Sequence, residues 1–255
     1  MARVVVISGG GTGIGFGAAG AFAADGEQVV LIGRRAEVLE KAAARLAAEH
    51  DRAPAPVTLT ADLSDPGEAD RVAREIGGRF EQVDVLVNSA GGNAALGAPA
   101  GRTEGTAEAA WHWQENFKAN TLTAVLLTEA LKDRLAAPGG RVLLISSIAA
   151  YRGSGTGSYG ASKAALHPYA YDLSAELGPR GITVNVIAPG YIAETEFFRG
   201  ALSAERERTL IDQTDNRRAG RPEDVARTAR WLASPAAGHI TAQIIQINGG
   251  SERGR

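Results

Sequence analysis

Short apolar runs alternate with alanine-rich, amphipathic stretches along nearly the whole chain. The runs are apolar at successive positions, which is typical of strands in a parallel sheet that helices cover on both faces. Seven runs predict strands, at Val4–Ser8, Gln28–Ile32, Val57–Thr60, Val83–Asn88, Arg141–Ser146, Thr183–Ala188 and Ile244–Asn248. The stretches between them predict helices, at Gly13–Asp25, Ala36–His50, Pro66–Arg79, Trp113–Leu135, Ser158–Leu177 and Pro222–Ala233. This alternation predicts an α/β fold with a doubly wound, seven-stranded, mostly parallel sheet and helices on both faces.

Two segments interrupt this rhythm. Residues 91–105 are rich in Gly, Ala and Pro, and residues 193–216 form a polar insert with one short helical pattern. Both follow strand ends, so we expect them at the edge of the sheet where ligands bind. We interpret 193–216 as a substrate lid; the alternative is that both segments are ordinary surface loops. No internal repeat or long linker divides residues 1–255, which predicts one domain.

Composition excludes several classes of function. The formal net charge of −2 shows no basic excess that would indicate a nucleic-acid partner. Cysteine is absent, which excludes thiolate nucleophiles, disulfides and cysteine zinc sites, and the four histidines lack metal-ligand spacing. We therefore expect no metal. No apolar run approaches about 18 residues, and the first strand begins almost at once, so we expect no membrane span, no signal peptide and a cytoplasmic location.

A glycine-rich loop joins the first strand to the first helix. The segment Ser8–Gly15 lets the backbone approach a pyrophosphate closely, and the helix that follows offers free N–H groups and a positive dipole end. The strand–loop–helix context indicates a dinucleotide-binding, Rossmann-type domain. The alternative is a tight turn without a ligand. The predicted cofactor contacts in this loop are Gly9, Gly11, Thr12, Gly13, Ile14 and Gly15.

The end of the second strand indicates which dinucleotide is bound. Folds that prefer NAD usually carry an acidic residue here for the ribose 2′-hydroxyl, and this chain has Gly33. Arg34 follows, and its planar guanidinium suits a 2′-phosphate. Arg35 either assists or points to solvent. We expect NADP(H) to be preferred over NAD(H); the alternative is that Arg34 is only a solvated residue at a helix start.

Tyr159 and Lys163 lie four residues apart in a predicted helix, which places them on one face. A nearby cation favours the phenolate, so we expect Lys163 to lower the pKa of Tyr159 and make the phenol an acid–base catalyst. Ser146 and Ser147 follow a predicted strand at the ligand-binding edge. The alternative is that the pair is an ordinary solvated surface pair.

These motifs together resemble the short-chain dehydrogenase/reductase family, including its 3-oxoacyl-(acyl carrier protein) reductases, from Val4 to Gly250. The resemblance implies that Asp62 and Leu63 contact the adenine, and that Asn88, Ala90 and Gly91 lie along the cofactor. It implies a catalytic set of Asn120, Ser147, Tyr159 and Lys163, in which Tyr159 and Lys163 also contact the cofactor. Ser146 remains an alternative to Ser147. It further implies that the nicotinamide carboxamide is held by Pro189, Gly190, Ile192 and Thr195.

The function that the resemblance implies is NADPH-dependent reduction of a ketone or oxoacyl thioester to a secondary alcohol. Tyr159 would be the acid, Lys163 would bind the nicotinamide ribose, Ser147 would donate to the substrate oxygen, and Asn120 would order a water. The expected substrate contacts are Ser147, Tyr151, Tyr191 and Phe197. The alternatives are an oxidative alcohol, sugar or steroid dehydrogenase, and a dinucleotide sensor without catalysis. The resemblance also implies a homo-oligomer, either a tetramer or a dimer.

Overall fold

A computed structural model describes residues 2–97, 105–155, 157–198 and 200–253 of the 255-residue chain. Its centre is one sheet of seven strands, in the order β3-β2-β1-β4-β5-β6-β7. Every neighbouring pair in that sheet is parallel. The strands are β1 Val4–Ser8, β2 Gln28–Gly33, β3 Val57–Thr60, β4 Val85–Asn88, β5 Arg141–Ile145, β6 Thr183–Pro189 and β7 Ile244–Ile247. The predicted fold class is confirmed, and the sheet is wholly rather than mostly parallel.

Helices cover both faces of the sheet, because successive strand residues are apolar on alternate sides. Val4 and Val6 belong to one core, and Val5 and Ile7 belong to the other. The longer helices in the described residues are α1 Gly13–Ala23, α2 Ala36–Glu49, α3 Pro66–Arg79, α4 Thr106–Phe117, α5 Thr123–Leu131, α7 Ser158–Ala164, α8 Leu166–Leu177, α9 Ala204–Asp212 and α10 Pro222–Leu232, with a single turn α6 at Ala149–Arg152. The first core contains residues of α3, α5 and α8, and the second contains residues of α1, α2 and α10.

Two predicted helices are interrupted. The predicted Trp113–Leu135 begins earlier, at Thr106, and contains a π-helical turn at Lys118–Leu122 between α4 and α5. The predicted Ser158–Leu177 breaks at Ala165, between α7 and α8. Pro168 explains this break, because proline has no N–H to donate and its ring clashes with the carbonyl four residues earlier. Both interruptions lie beside predicted site residues.

The topology brings the interrupting segments to one edge. The sheet order reverses beside β1, so that β2 and β4 flank it, and ligands of open α/β sheets bind at such a reversal, beyond the carboxyl ends of the strands. Residues 91–97 leave β4 at this edge, and residues 193–198 follow β6. The second segment leads to α9, the short helix that the sequence predicts. Residues 98–104 of the predicted 91–105 segment lie outside the described residues.

Candidate active site

The loop between β1 and α1 contains glycines at positions where a side chain would be strained or would clash. Gly9 and Gly13 have φ angles of 67° and 52°, which an L side chain rarely adopts. A Cβ on Gly15 would stand 2.3 Å from the carbonyl oxygen of Gly9. The helix therefore begins in direct contact with the loop backbone, and its first N–H groups face the carboxyl edge of the sheet.

A cleft of about 640 Å³ opens over this loop. Nine of its lining residues are in the predicted cofactor set: Gly9, Gly11, Thr12, Arg34, Arg35, Asp62, Leu63, Ala90 and Gly91. The sequence did not indicate that residues of α4 and the π turn line its far wall, where Trp111, Glu115 and Lys118 lie. The cleft therefore runs from the glycine loop past the end of β2 to the helix that carries Asn120.

Ser8 and Asn88 support the cleft from beneath. The Oγ of Ser8 accepts hydrogen bonds from the N–H groups of Ser89 and Ala90, at 3.1 and 3.0 Å. Asn88 is 2% exposed, donates to Thr128 Oγ1 at 2.9 Å and does not line the cleft. The structure thus places Asn88 behind the predicted cofactor surface rather than on it. Ser8 holds the loop after β4 in place, and the only sequence signal for this role is its position at the end of β1.

Charged groups gather where β2 and β3 end. Arg34 and Lys118 are close enough to Asp62 to lower the pKa of its carboxyl group, although the hydrogen bond from Ser64 is the largest cause. Arg35 donates to Glu196 at 2.8 Å. Within the described residues Arg34 has no ion-pair partner, so its guanidinium is available to an anion in the cleft.

Ser147 and Tyr159 meet directly. The hydroxyl of Ser147 hydrogen-bonds the phenol of Tyr159, which is 6% exposed. Ser146 points elsewhere: its Oγ donates to the carbonyl of Lys163 and lies 2.9 Å from His167 Nε2. Of the two serines, only Ser147 is beside the phenol, as the sequence favours.

Lys163 lies inside the protein, 4% exposed, and donates from Nζ to the carbonyl of Ile145 at 2.8 Å. Burial lowers the pKa of Lys163 to about 8. Burial also raises the pKa of Tyr159 to about 12, and the hydrogen bond from Ser147 offsets only part of that rise. Burial is the larger of the two causes that act on the phenol and Lys163 is not one of them, so the expected lowering of the Tyr159 pKa by Lys163 stays a prediction.

Asn120 lies in the π turn, where backbone irregularity often accompanies function. Its Oδ1 accepts from the N–H of Gly92 at 2.9 Å, and its Nδ2 donates to the carbonyl of Gly92 at 2.8 Å. A Cβ on Gly91 would stand 2.5 Å from this Oδ1 and 2.9 Å from Lys163 Nζ. Asn120, Lys163 and the loop after β4 therefore meet at one point.

Three aromatic rings pack in a row that begins at the ring of Tyr159. Phe197 lies 5.5 Å from the Tyr159 ring and 5.0 Å from Phe198, which in turn contacts Tyr191 at 6.0 Å, all between ring centroids. We call Tyr191, Phe197 and Phe198 the aromatic cover. Tyr151 is placed differently, because its ring packs against His167 at 5.3 Å. Of the predicted substrate contacts, the structure brings Ser147 and Phe197 to Tyr159, links Tyr191 to them only through Phe198, and leaves Tyr151 apart.

The segment that carries the cover follows the predicted carboxamide residues. Pro189 ends β6, the N–H of Gly190 donates to Ile247, and Ile192 forms a bridge with Gly220. Thr195 then lies against the glycine loop, with its Cγ2 3.3 Å from where a Cβ on Gly13 would be. Thr195 thus brings this segment against the glycine loop, while none of the four predicted carboxamide residues lines the cleft itself.

The site fits a dinucleotide in size and in donor chemistry. Its volume lies within the range of small-ligand sites, and glycines of the loop after β1 line it together with Arg34 and Arg35. Among the described residues, no group of three or more acidic or histidine side chains is arranged to hold a metal ion. In the same residues, no helix combines the length and apolarity needed to cross a bilayer.

Comparisons with known proteins agree with this geometry. The family model described as enoyl-(acyl carrier protein) reductase matches residues 9–252. Acetoacetyl-CoA reductase from Allochromatium vinosum is 32% identical over 255 residues, covering 98% of this chain and 98% of that protein. A solved short-chain dehydrogenase/reductase from Brucella melitensis, described as a glucose/ribitol dehydrogenase, has a TM-score of 0.85 at 31% identity and covers 99% of this chain and 97% of its own. A RhlG/NADP complex from Pseudomonas aeruginosa has a TM-score of 0.83 at 29% identity, covering 98% and 96% of the two chains.

Proposed function

The chain belongs to the short-chain dehydrogenase/reductase family and is an NAD(P)-dependent oxidoreductase, and on that premise we propose that it reduces a ketone or oxoacyl substrate to a secondary alcohol with NADPH. The observation that carries this proposal is the buried contact between Ser147 and Tyr159. The two hydroxyl groups lie side by side at the carboxyl edge of the sheet, where both could donate a hydrogen bond to the same carbonyl oxygen of a substrate.

Tyr159 is the proton donor of the reaction. Because burial holds its pKa at about 12, the phenol keeps its proton at neutral pH and releases it as negative charge grows on the substrate oxygen. Ser147 donates a hydrogen bond to the same oxygen and stabilises that charge. The bound nicotinamide supplies the hydride.

Lys163 and Asn120 support the proton donor. The pKa of Lys163, about 8, allows it to exchange a proton near neutral pH. Its Nζ lies at the Gly91 backbone, beside the cleft, where it would bind the nicotinamide ribose. Asn120 holds the loop after β4 against Lys163, and a water held there would return protons from solvent.

The preference for NADPH rests on Arg34. It lines the cleft beside Gly33, the position at which folds that prefer NAD usually carry an acidic residue. A guanidinium binds a phosphate through several charge-assisted hydrogen bonds. The RhlG/NADP complex shows that a relative of this fold takes the phosphorylated cofactor.

The aromatic cover suits a substrate with an apolar body. Phe197 and Phe198 of the cover belong to the insert at 193–216, which acts as the lid of a single domain spanning the chain. We favour small ketones and oxoacyl thioesters, since acetoacetyl-CoA reductase is among the relatives. Exposed side chains on neighbouring helices, Trp113, Leu122 and Tyr171, support a homo-oligomer in which a second copy covers them.

A consumption assay tests the proposal. Purified protein is given NADPH or NADH with a panel of ketones, oxoacyl thioesters, sugar alcohols and secondary alcohols, and absorbance at the nicotinamide band is followed. Faster NADPH consumption with a carbonyl substrate is expected. Turnover of alcohols alone with NAD would favour the oxidative dehydrogenase, and tight cofactor binding without any turnover would favour a sensor.

A further inference from the structure

An ion pair joins the two sides of the cleft. Arg35 Nη2 and Glu196 Oε2 lie 2.8 Å apart, although the two residues are separated by 161 positions in the chain. Arg35 follows Arg34 at the start of α2. Glu196 belongs to residues 193–198, which we call the strap.

Three consecutive strap residues contact three parts of the site. Thr195 lies over Gly13 in the glycine loop, Glu196 pairs with Arg35, and Phe197 packs on the ring of Tyr159. Because Glu196 and Phe197 are adjacent in the chain, a displacement of the strap backbone at Glu196 displaces Phe197 as well.

We propose that Glu196 competes with the 2′-phosphate of NADP(H) for Arg35, so that the phosphate releases the strap and uncovers Tyr159. This inference rests on the proposed NADPH preference and extends it to the carbonyl substrate. At the guanidinium of Arg35, the 2′-phosphate would replace the carboxylate of Glu196, because a phosphate carries more negative charge and more acceptor oxygens than a carboxylate. NAD(H) has a hydroxyl at this position and leaves the ion pair intact.

Glu196 is thus a specificity-determining residue for both ligands. It weakens the binding of a 2′-phosphate, because Arg35 is free only part of the time. It also ties the opening of the aromatic cover to the phosphate, so that a carbonyl substrate reaches Tyr159 more readily after NADPH than after NADH.

The effect is modest in size. The side chains of Arg35 and Glu196 are 54% and 61% exposed, and exposed ion pairs contribute little. We expect removal of the Glu196 charge to tighten 2′-phosphate binding about two- to fivefold.

Calorimetry with two small probes isolates the phosphate. The probes are 2′,5′-ADP, which carries the 2′-phosphate, and 5′-AMP, which does not. Glu196→Gln should bind 2′,5′-ADP more tightly and 5′-AMP unchanged. Glu194→Gln is the matched control, since Glu194 lies on the same strap but faces Arg221 at 3.6 Å. In an Arg35→Ala background, Glu196→Gln should bring no further gain.

A fluorescent label reports the strap itself. Because the chain has no cysteine, a Phe198→Cys variant carries a single environment-sensitive fluorophore. Emission should change on addition of 2′,5′-ADP and not of 5′-AMP, and Glu196→Gln should shift it before any probe is added. Equal responses to both probes would overturn the release of the strap.

The calorimetric outcomes separate this inference from the proposed function. If 2′,5′-ADP binds no better than 5′-AMP in the native protein, the NADPH preference fails and the inference fails with it. If 2′,5′-ADP binds better and depends on Arg34, but Glu196→Gln behaves like Glu194→Gln, only the competition by Glu196 is wrong.

Discussion

Asn116 and Asn120 lie one helical turn apart, and each accepts a backbone N–H of the loop after β4 through its Oδ1. Asn116 accepts a hydrogen bond from the N–H of Ala94 at 3.1 Å, and Asn120 accepts one from the N–H of Gly92 at 2.9 Å. Asn116 also donates to Ser158 Oγ at 3.0 Å, the residue before Tyr159. The pair joins the loop at the cleft to the helix that carries the phenol.

Replacement of Asn116 should loosen this connection. Asn116→Leu leaves the N–H of Ala94 without its acceptor, so we expect a loss of about 1–3 kcal/mol in the free energy of unfolding and a raised KM for the carbonyl substrate. Thermal and urea denaturation with steady-state kinetics measure both. Gln114→Leu, at an exposed position of the same helix, is the control. A KM change equal in the two variants would contradict the positioning role.

Tyr159→Phe should remove turnover and keep cofactor binding. The phenol is the proposed proton donor, and loss of general acid catalysis lowers kcat/KM by about 100- to 10,000-fold. Tyr151→Phe removes a hydroxyl whose ring packs on His167 instead, so it should retain most activity. Calorimetry with NADPH and initial rates decide the matter. Near-normal rates in Tyr159→Phe would exclude the proposed acid.

Gly91→Ala should disturb the point where Lys163 and Asn120 meet. The new Cβ would stand 2.5 Å from Asn120 Oδ1 and 2.9 Å from Lys163 Nζ, and such overpacking costs about 1–3 kcal/mol. Gly92→Ala is the neighbouring control, because a Cβ there meets nothing within 4 Å. Melting temperature and kcat/KM should fall in the first variant alone. Similar values in both would contradict the close contact.

Arg34→Ala should weaken the binding of NADPH much more than the binding of NADH. Hydrogen bonds to a charged group contribute about 1.5–3 kcal/mol, and only NADPH carries the phosphate that Arg34 would bind. Dissociation constants from fluorescence titration measure the ratio. Arg74→Ala, an exposed arginine of α3 outside the cleft, should leave both affinities unchanged. An equal loss of affinity for the two cofactors would show that Arg34 does not bind the 2′-phosphate.

Lys163→Met should stabilise the protein at neutral pH while abolishing activity. Burial lowers the pKa of Lys163 from 10.5 to about 8 in the folded state. Between these values the unfolded chain binds more protons, so the native protein gains stability as the pH rises. The pKa difference corresponds to about 3 kcal/mol in the free energy of unfolding, gained between pH 8 and pH 10.5. The advantage of Lys163→Met should therefore be largest below pH 8 and vanish near pH 10.5, as urea denaturation across this range would show. A constant difference would contradict the buried charge.

The sequence predicts those features that depend on local pattern. Helix α3 matches its predicted bounds, Pro66–Arg79, because proline occupies its first turn and Asp65 caps it by accepting from the N–H of Glu68. Apolar periodicity is weak before Trp113 and does not predict the start of α4 at Thr106. The break at Ala165 does have a local signal in Pro168.

What the sequence does not reveal depends on distant residues and on burial. The partner of Arg35 lies 161 positions away, and no local pattern connects the two. The spacing of Tyr159 and Lys163 predicts that they share a helix face, but it does not predict the degree of desolvation that controls their pKa values. The same limit applies to Tyr151, whose ring turns to His167 rather than to the aromatic cover.

The proposed proton donor and the phenylalanines that cover it come from separate stretches of chain. Tyr159 and Lys163 are fixed within α7, whereas Phe197 and Phe198 belong to a strap that contributes no strand to the sheet. Directed evolution confined to the strap would therefore change which carbonyl compounds are accepted, while the chemistry beneath is inherited intact.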